Sequence, residues 1–359
     1  MSELRTMLED TVSRLFRDRV TKESIEAAER GEWQADLWRA VEEGGLTRPH
    51  LAEATGGAGG SWVEAYVILR ATGRYTVPLP IAETMIAGWL LEQAGIAVPE
   101  APITVLPEPV DAAALRNDTL TATADRVPWA RASSHVVFAT SSKENTRVGL
   151  TRTGAATKIR YGENIAREPR DTLTFESAPV EALRPASLLP DAVRLYGAMA
   201  RTAQMAGAME ALLAQAVQYA GERVQFGRPI AKFQVIQHEL AKLAGDVAAC
   251  GVAAEAAFHA AARRAKTSPA LPNPRFEIAV AKTRVGDSVQ QATGIAHQVH
   301  GAIGFTYEHG LHFATRRLWA WRAEFGTDTY WAAEIGREAI ARGADFIWTY
   351  LTSRSYPTS

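Results

Sequence analysis

The sequence predicts a mostly helical α+β protein in three parts: an N-terminal helical domain over residues 1–98, a small central β domain over 99–188, and a C-terminal antiparallel helical bundle over 189–359. Three observations predict it. Apolar residues recur at helical spacing from residue 2 to about residue 95, short β-prone runs replace them up to about residue 186, and long helix-forming stretches return from residue 191.

In the first part Leu4, Met7, Leu8, Val12, Leu15 and Phe16 form one stripe, followed by Trp38, Val41 and Leu46. The glycine cluster ATGGAGG at residues 54–60 has no strand before it, no Walker lysine and no GxGxxG spacing, so it reads as a flexible interhelical loop and not a phosphate cradle. In the second part the β-prone runs are residues 103–106, 119–123, 135–138, 147–150 and 172–175, separated by turn residues. In the third, Asp191 after Pro190 is placed to cap a helix over 191–223, in which Gly197, Ala200, Gly207 and Ala211 allow close packing. A second helix covers 233–264, where the alanine-dense stretch reflects alanine's helix propensity. A proline-rich break at 267–274 precedes a third helix over 275–300, and three long antiparallel helices make a bundle.

Composition narrows the functions. With 39 Lys plus Arg against 40 Asp plus Glu, no global field draws in nucleic acid or an anionic membrane, so any anionic ligand is held by local groups. Cys250 is the single cysteine, which excludes an internal disulfide and multi-cysteine metal centres and fits a reducing cytoplasm. The start, MSELRTMLED, is acidic and amphipathic and does not read as a secretory signal. No stretch reaches the ~20 apolar residues of a membrane span. His297 and His300 have metal-compatible spacing but no third ligand, so no metal is expected and packing or hydrogen bonding accounts for them. Arg316 and Arg317 beside Trp319 and Trp321 read as a helix with one basic and one apolar face.

Four local signals remain. The segment ERVQFGRPI at residues 222–230, with Phe233 and Gln234 after it, places Arg223 and Gln225 at a helix-helix turn, where a guanidinium can grip a pyrophosphate or simply neutralise the carboxyl end of its own helix. The segment QVHGAIGF at 298–305 ends a helix on glycines that admit a ligand close to the backbone, although a helix C-cap explains one of them. The segment FGT at 325–327 precedes a helix that Thr327 and Asp328 could cap, or whose free N–H groups a ligand could use. The fourth signal is the spacing of these three.

Together the segments resemble the C-terminal half of the acyl-CoA dehydrogenase superfamily. Residues 222–227 resemble its ERxxFG segment, and residues 298–305 its QxxGGxGF segment with Ala302 in place of the second glycine. The spacing to Gly326 and Thr327, the step from Gly326 to Arg337, and the helix start at 278–282 match as well. The likeness covers about residues 191–344 and continues more loosely at the N-terminus, where residues 57–60 resemble a loop these proteins carry.

The resemblance implies an FAD cofactor shared between two chains, with Arg223, Gln225 and Phe226 contacting it and Gln234 near its adenosine end. It places Gln298, Gly301 and Gly304 along the pyrophosphate and ribose, and Thr327 with Thr329 on the adenosine side. It further implies an acyl-CoA substrate, electron-transfer flavoprotein as electron acceptor, and either a homo-oligomer or an α2β2 heterotetramer with a longer subunit of the same family.

Two departures stand against this. The family's proton-abstracting glutamate precedes the Gly-Thr pair, where this chain has Phe325, with Glu324 one step earlier; the alternative acid on the long helix is missing, since Gly197 and Ala198 occupy that region and Glu210 lies several turns away. No TEPxxGSD-like or WIT-like segment is found; residues 103–109 and 127–130 stand in their places, with Trp129 as a flavin-stacking or core residue. Such base-deficient chains resemble the smaller subunits of heteromeric acyl-CoA dehydrogenases of bacterial sterol and ring-compound catabolism. Three readings follow: a flavin-bearing subunit whose partner brings the base, a self-sufficient homomer using Glu324 as base, and a non-catalytic structural subunit.

Overall fold

The structure, a computed structural model, describes residues 3–140, 146–267 and 273–353. Five helices come first: α1 (Glu3–Arg19), α2 (Lys22–Glu29), α3 (Ala35–Glu43), α4 (Trp62–Arg74) and α5 (Ile81–Gln93). The strands follow: β1 (Ile103–Val105), β2 (Leu115–Arg116), β3 (Thr119–Pro128), β4 (His135–Ala139), β5 (Arg147–Arg152), β6 (Lys158–Arg160), β7 (Arg170–Pro179) and β8 (Ala182–Pro185). The chain then returns to helix with α6 (Ala192–Glu222), a two-strand hairpin of β9 (Val224–Gln225) and β10 (Arg228–Pro229), α7 (Gln234–Thr267), α8 (Arg275–His300), α9 (Leu311–Ala323), α10 (Asp328–Arg342) and α11 (Ala344–Ser353).

The strands make two four-stranded sheets, ordered β1-β4-β5-β8 and β2-β3-β7-β6. Only the β1–β4 pair is parallel; the others run antiparallel. Alternating residues from the two sheets, among them Leu120, Val136, Phe138, Leu173 and Phe175, meet in a core of their own. The N-terminal helices have no such separate core. Their buried residues join those of β1, β4, β5, α6, α7 and α8 in one cluster, so residues 3–93 are packed into the bundle.

The predicted glycine loop is tighter than expected. A Cβ on Gly57 would lie 2.2 Å from the Leu51 carbonyl oxygen and one on Gly60 would lie 2.5 Å from that of Pro49, so both positions need glycine for close backbone approach. Ser61 then opens α4 with a capping box to Glu64. Asp191 sits at the N-cap position of α6 but makes no capping bond; Arg275 holds its carboxylate at 2.6 and 2.5 Å instead. Part of the predicted proline-rich break, residues 268–272, lies outside the described residues. Among the described residues no helix is long and apolar enough to cross a membrane, and no group of three His, Cys, Asp or Glu could hold a metal ion.

Small residues set the central helix contact. A Cβ on Gly73 of α4 would come within 1.8 Å of the Gln204 carbonyl oxygen of α6, and one on Gly207 of α6 within 1.9 Å of the Arg70 carbonyl oxygen. Neither backbone can retreat without opening the core. Gly207→Ala is expected to lower stability by ~1–3 kcal/mol or more, as for other over-packed cores; an unchanged urea midpoint contradicts the contact.

His50 is buried beside Trp62 at 4.3 Å, and its Nε2–H donates to the Met85 carbonyl at 3.2 Å. Burial pulls its pKa from 6.5 to about 4 despite that hydrogen bond. The folded-state value lies below the unfolded one, so stability is fully present above pH ~6.5 and falls as pH drops toward ~4, by up to about 1.4 kcal/mol per unit. His50→Gln is expected to flatten this slope in melting temperature; equal slopes in the two proteins contradict it.

Candidate active site

The loop that joins α9 to α10 is fixed from several sides. Lys282, fully buried on α8, donates through Nζ to the Trp321 and Arg322 carbonyl oxygens at 2.9 and 2.8 Å and so closes the end of α9. Phe325 and Gly326 then take left-handed backbone, with φ of 54° and 93°. Trp331 Nε1–H donates to the Phe325 carbonyl at 3.1 Å, and Thr327 caps α10 by accepting from the Tyr330 N–H at 3.1 Å. The Phe325 ring is turned onto α6, where a Cβ on Gly197 would lie 2.4 Å from it. The position at which a base was expected and the stretch of α6 expected to carry the alternative acid thus face each other as a phenyl ring and a glycine.

Glu324 points into the protein. Its Oε1 accepts from Arg170 Nε at 2.7 Å and Asn164 Nδ2 at 3.1 Å, and its Oε2 from Arg201 Nε at 2.8 Å and Arg170 Nη2 at 3.0 Å. Arg201 continues to Glu83 and Gln204, both at 2.5 Å, while Arg170 reaches Glu168 at 2.9 Å, which also accepts from Trp321 Nε1 at 2.9 Å. Arg317, 1% exposed, lies 3.5 Å from Glu168 and 3.8 Å from Glu29, and Arg316 grips Glu29 with both contacts at 2.8 Å. Burial alone would raise the Glu324 pKa; the Arg170 and Arg201 guanidiniums outweigh it and hold the carboxyl well below the usual carboxylate range.

Beside this network the β domain and the loop enclose a cleft of about 280 Å³, lined in part by Pro107, Glu108, Arg126, Arg170, Glu324 and Phe325. It adjoins a cleft of about 590 Å³ toward Tyr161, Ile165 and Trp319. Residues 103–109 and 127–130 reach this region through β1 and β3, but Trp129 is buried at 7% exposure and belongs to the packing.

The remaining predicted residues lie at the other end of the bundle. Gln225 and Arg228 pair across a two-residue turn whose central residues, Phe226 and Gly227, both have positive φ, 51° and 77°, as a type I′ hairpin requires. That turn pushes Phe226 out to 92% exposure. The Arg223 guanidinium has no partner among the described residues. The Tyr219 ring stacks on His300 at 4.7 Å, which brings the end of α6 to the end of α8 and sets the hairpin beside the 301–305 turn. There Gly301 is exposed with φ 61°, and a Cβ on Gly304 would lie 2.9 Å from that of His300. Gln234 and Gln298 are exposed as well.

The structure therefore divides the predicted set. Arg223, Gln225, Phe226, Gln234, Gln298, Gly301 and Gly304 belong to one end; Glu324, Phe325, Thr327 and Thr329 belong to the other. Gly286, against which Asp328 packs, and His300 mark the two ends on α8, and the helix rises roughly 21 Å between them. His297 stacks on Phe305 at 4.5 Å and His300 on Tyr219, so packing accounts for both. Arg317 corrects the expected basic face, because it is buried in the charge network. Sequence reasoning missed Arg170, Asn164 and Arg201. Arg201 had a signal: it is the one charge between Arg194 and Glu210 on a helix of small and apolar residues, and a charge so placed must find a buried partner.

Two family models match the chain: the acyl-CoA dehydrogenase N-terminal domain over residues 2–97 and the C-terminal domain over residues 195–344. The chain is 30% identical over 320 residues to acyl-CoA dehydrogenase IpdE2 of Mycobacterium tuberculosis, covering 88% of this chain and 91% of that protein. Among solved structures it is similar to the ChsE4-ChsE5 complex from Mycobacterium tuberculosis, with a TM-score of 0.84, 20% identity, and coverage of 96% and 99% of the two chains. It is also similar to PigA with FAD and proline, with a TM-score of 0.79, 15% identity, and coverage of 96% and 99%. The chain belongs to the acyl-CoA dehydrogenase family, whose members are oxidoreductases acting on CH–CH bonds.

Proposed function

We propose that this chain is the base-deficient subunit of a heteromeric FAD-dependent acyl-CoA dehydrogenase, which desaturates an acyl-CoA thioester at the α,β position with a proton acceptor supplied by the partner chain. The observation that carries this reading is the contact of the Phe325 ring with Gly197, which leaves no carboxylate at either position where the family keeps its base. Glu324 does not replace it: both of its oxygens are taken by buried donors, and the Arg170 and Arg201 guanidiniums hold its carboxyl well below the usual carboxylate range. A useful base has a pKa near the working pH and a free lone pair toward the substrate.

The residues at the Arg223 end fit one half of a cofactor cradle. The Arg223 guanidinium, without a partner among the described residues, can take a pyrophosphate in bidentate fashion, and Gly301 leaves the backbone open at the neighbouring turn, where Gly304 packs against His300. FAD, when bound, supplies the hydride acceptor for the β-carbon. Arg223, Gln225, Phe226, Gln234, Gln298, Gly301 and Gly304 would hold it from this chain, and Thr327 and Thr329 would serve a cofactor at the opposite end. Gln234 and Thr327 are both expected at the adenosine end of one cofactor yet lie at ends roughly 21 Å apart along α8, so a cofactor meeting both draws on two chains. Exposed Phe226, Val224, Phe305 and Tyr307, at 92, 54, 74 and 69%, give the Arg223 end an apolar surface suited to such a partner. The assembly on this reading is an α2β2 heterotetramer with a longer family member, its substrate of the sterol or ring-compound class, and its electrons pass to electron-transfer flavoprotein. The ChsE4-ChsE5 structure, itself a complex of two chains, supports the heteromeric form.

In the purified complex Arg223→Ala is expected to lower the flavin-to-protein ratio at least ~10-fold with melting temperature preserved, the loss expected for one charge-assisted contact. An unchanged ratio contradicts the cradle. The chain alone is expected to turn over acyl-CoA at least ~10²-fold more slowly than the mixture with its partner, the usual worth of a general base. Robust turnover by the chain alone refutes the assignment of the base to the partner.

A further inference from the structure

We infer that Glu324 is a positioning residue: an internal anion that ties the 324–327 loop, the β domain and the bundle together by neutralising Arg170 and Arg201 at once. Arg170 opens β7, Arg201 lies in the middle of α6, and the second carboxylate on Arg201 is Glu83 of α5, so one carboxylate joins three parts of the chain that are distant in sequence. Both guanidiniums are sealed from water, with side-chain exposures of 3% and 2%. Arg201 is further held over the Trp321 and Phe325 rings, at 5.8 and 5.6 Å from their centroids. Four donor contacts leave neither Glu324 oxygen free. Taking the carboxylate away would set two buried cations across a void, and that void opens onto the 280 Å³ cleft that Glu324 lines, where a small carboxylate from solvent can enter.

The inference stands on this buried geometry, and only its flavin readout rests on the FAD reading; failure of the Arg223→Ala test would leave the melting-temperature result decisive. In the assembled protein, Glu324→Ala is expected to lower the melting temperature by about 5 °C or more, the scale expected for breaking a buried pair. Added formate should recover at least half of that loss in the variant and none in wild type, while chloride at equal ionic strength should not. Flavin content should fall and recover in parallel, because the same carboxylate holds the loop that carries Thr327. If Glu324→Ala does not fold, Glu324→Gln decides: a lowered melting temperature with turnover of the mixed complex down less than tenfold supports positioning. An unchanged melting temperature with turnover down about a hundredfold or more makes Glu324 the proton acceptor and overturns the inference. Glu324→Ala melting like wild type, or formate stabilising both proteins equally, also overturns it.

Discussion

Arg170 and Arg201 are both buried against a single carboxylate, that of Glu324, and much of the crevice follows from satisfying them. An ionised guanidinium without a partner in such surroundings costs several kcal/mol, so the chain has to deliver Glu324 between them. The loop that delivers it must then turn sharply, which is where the left-handed Phe325 and Gly326 come in. Phe325 is thereby set against Gly197, and Thr327 arrives in place to cap α10. Lys282 holds the preceding helix end, so the loop has no slack on that side. The charges balance through the network: Glu29, Glu83, Glu168 and Glu324 face Arg170, Arg201, Arg316 and Arg317.

A crevice organised in this way has a chemical consequence. Desaturation of a thioester needs a proton acceptor at the α-carbon and a hydride acceptor at the β-carbon, and this chain presents a phenyl ring and a glycine where the first was expected. The opposite end of the bundle shows the reverse character. Its hairpin tip, exposed rings and the Arg223 guanidinium, which has no partner among the described residues, are poorly used by an isolated chain, since exposed apolar surface of this kind marks an interface. One end is closed by internal charge pairs and the other is left open for something from outside. A subunit that completes a partner's site while leaving the base to that partner accounts for both.

The order of elements could be read from the sequence because each long helix carries its own period: α8 occupies the residues read for it, and α6 and α7 differ from their readings by one to three residues at their ends. The strands β2, β6 and β8 went unread, being only two to four residues long. Asp191 looked like a cap because local pattern favours Asp before a helix, but Arg275, 84 positions away, takes its carboxylate. The same limit applies at the site. Arg223, Gly301 and Thr327 sit in short motifs whose chemistry is local. Glu324 was visible only as a displaced neighbour of the expected base position, because its partners Arg170 and Arg201 are 154 and 123 residues away in sequence. Arg201 alone carried a signal, which went unread: an isolated charge on an apolar helix. Arg317 misled for the opposite reason: next to Arg316 it looked like part of a solvated face, and its burial depends on Glu168 and Glu29 from elsewhere in the chain.

The central claim is that the cofactor-facing residues of this chain serve a flavin held jointly with a second chain. Native mass spectrometry of the assembled protein, dissociated stepwise into its subunits, tests it most directly. The account predicts that the mass of FAD is found on species of two or more chains and is lost when this chain separates. A stable single chain that carries FAD would contradict it.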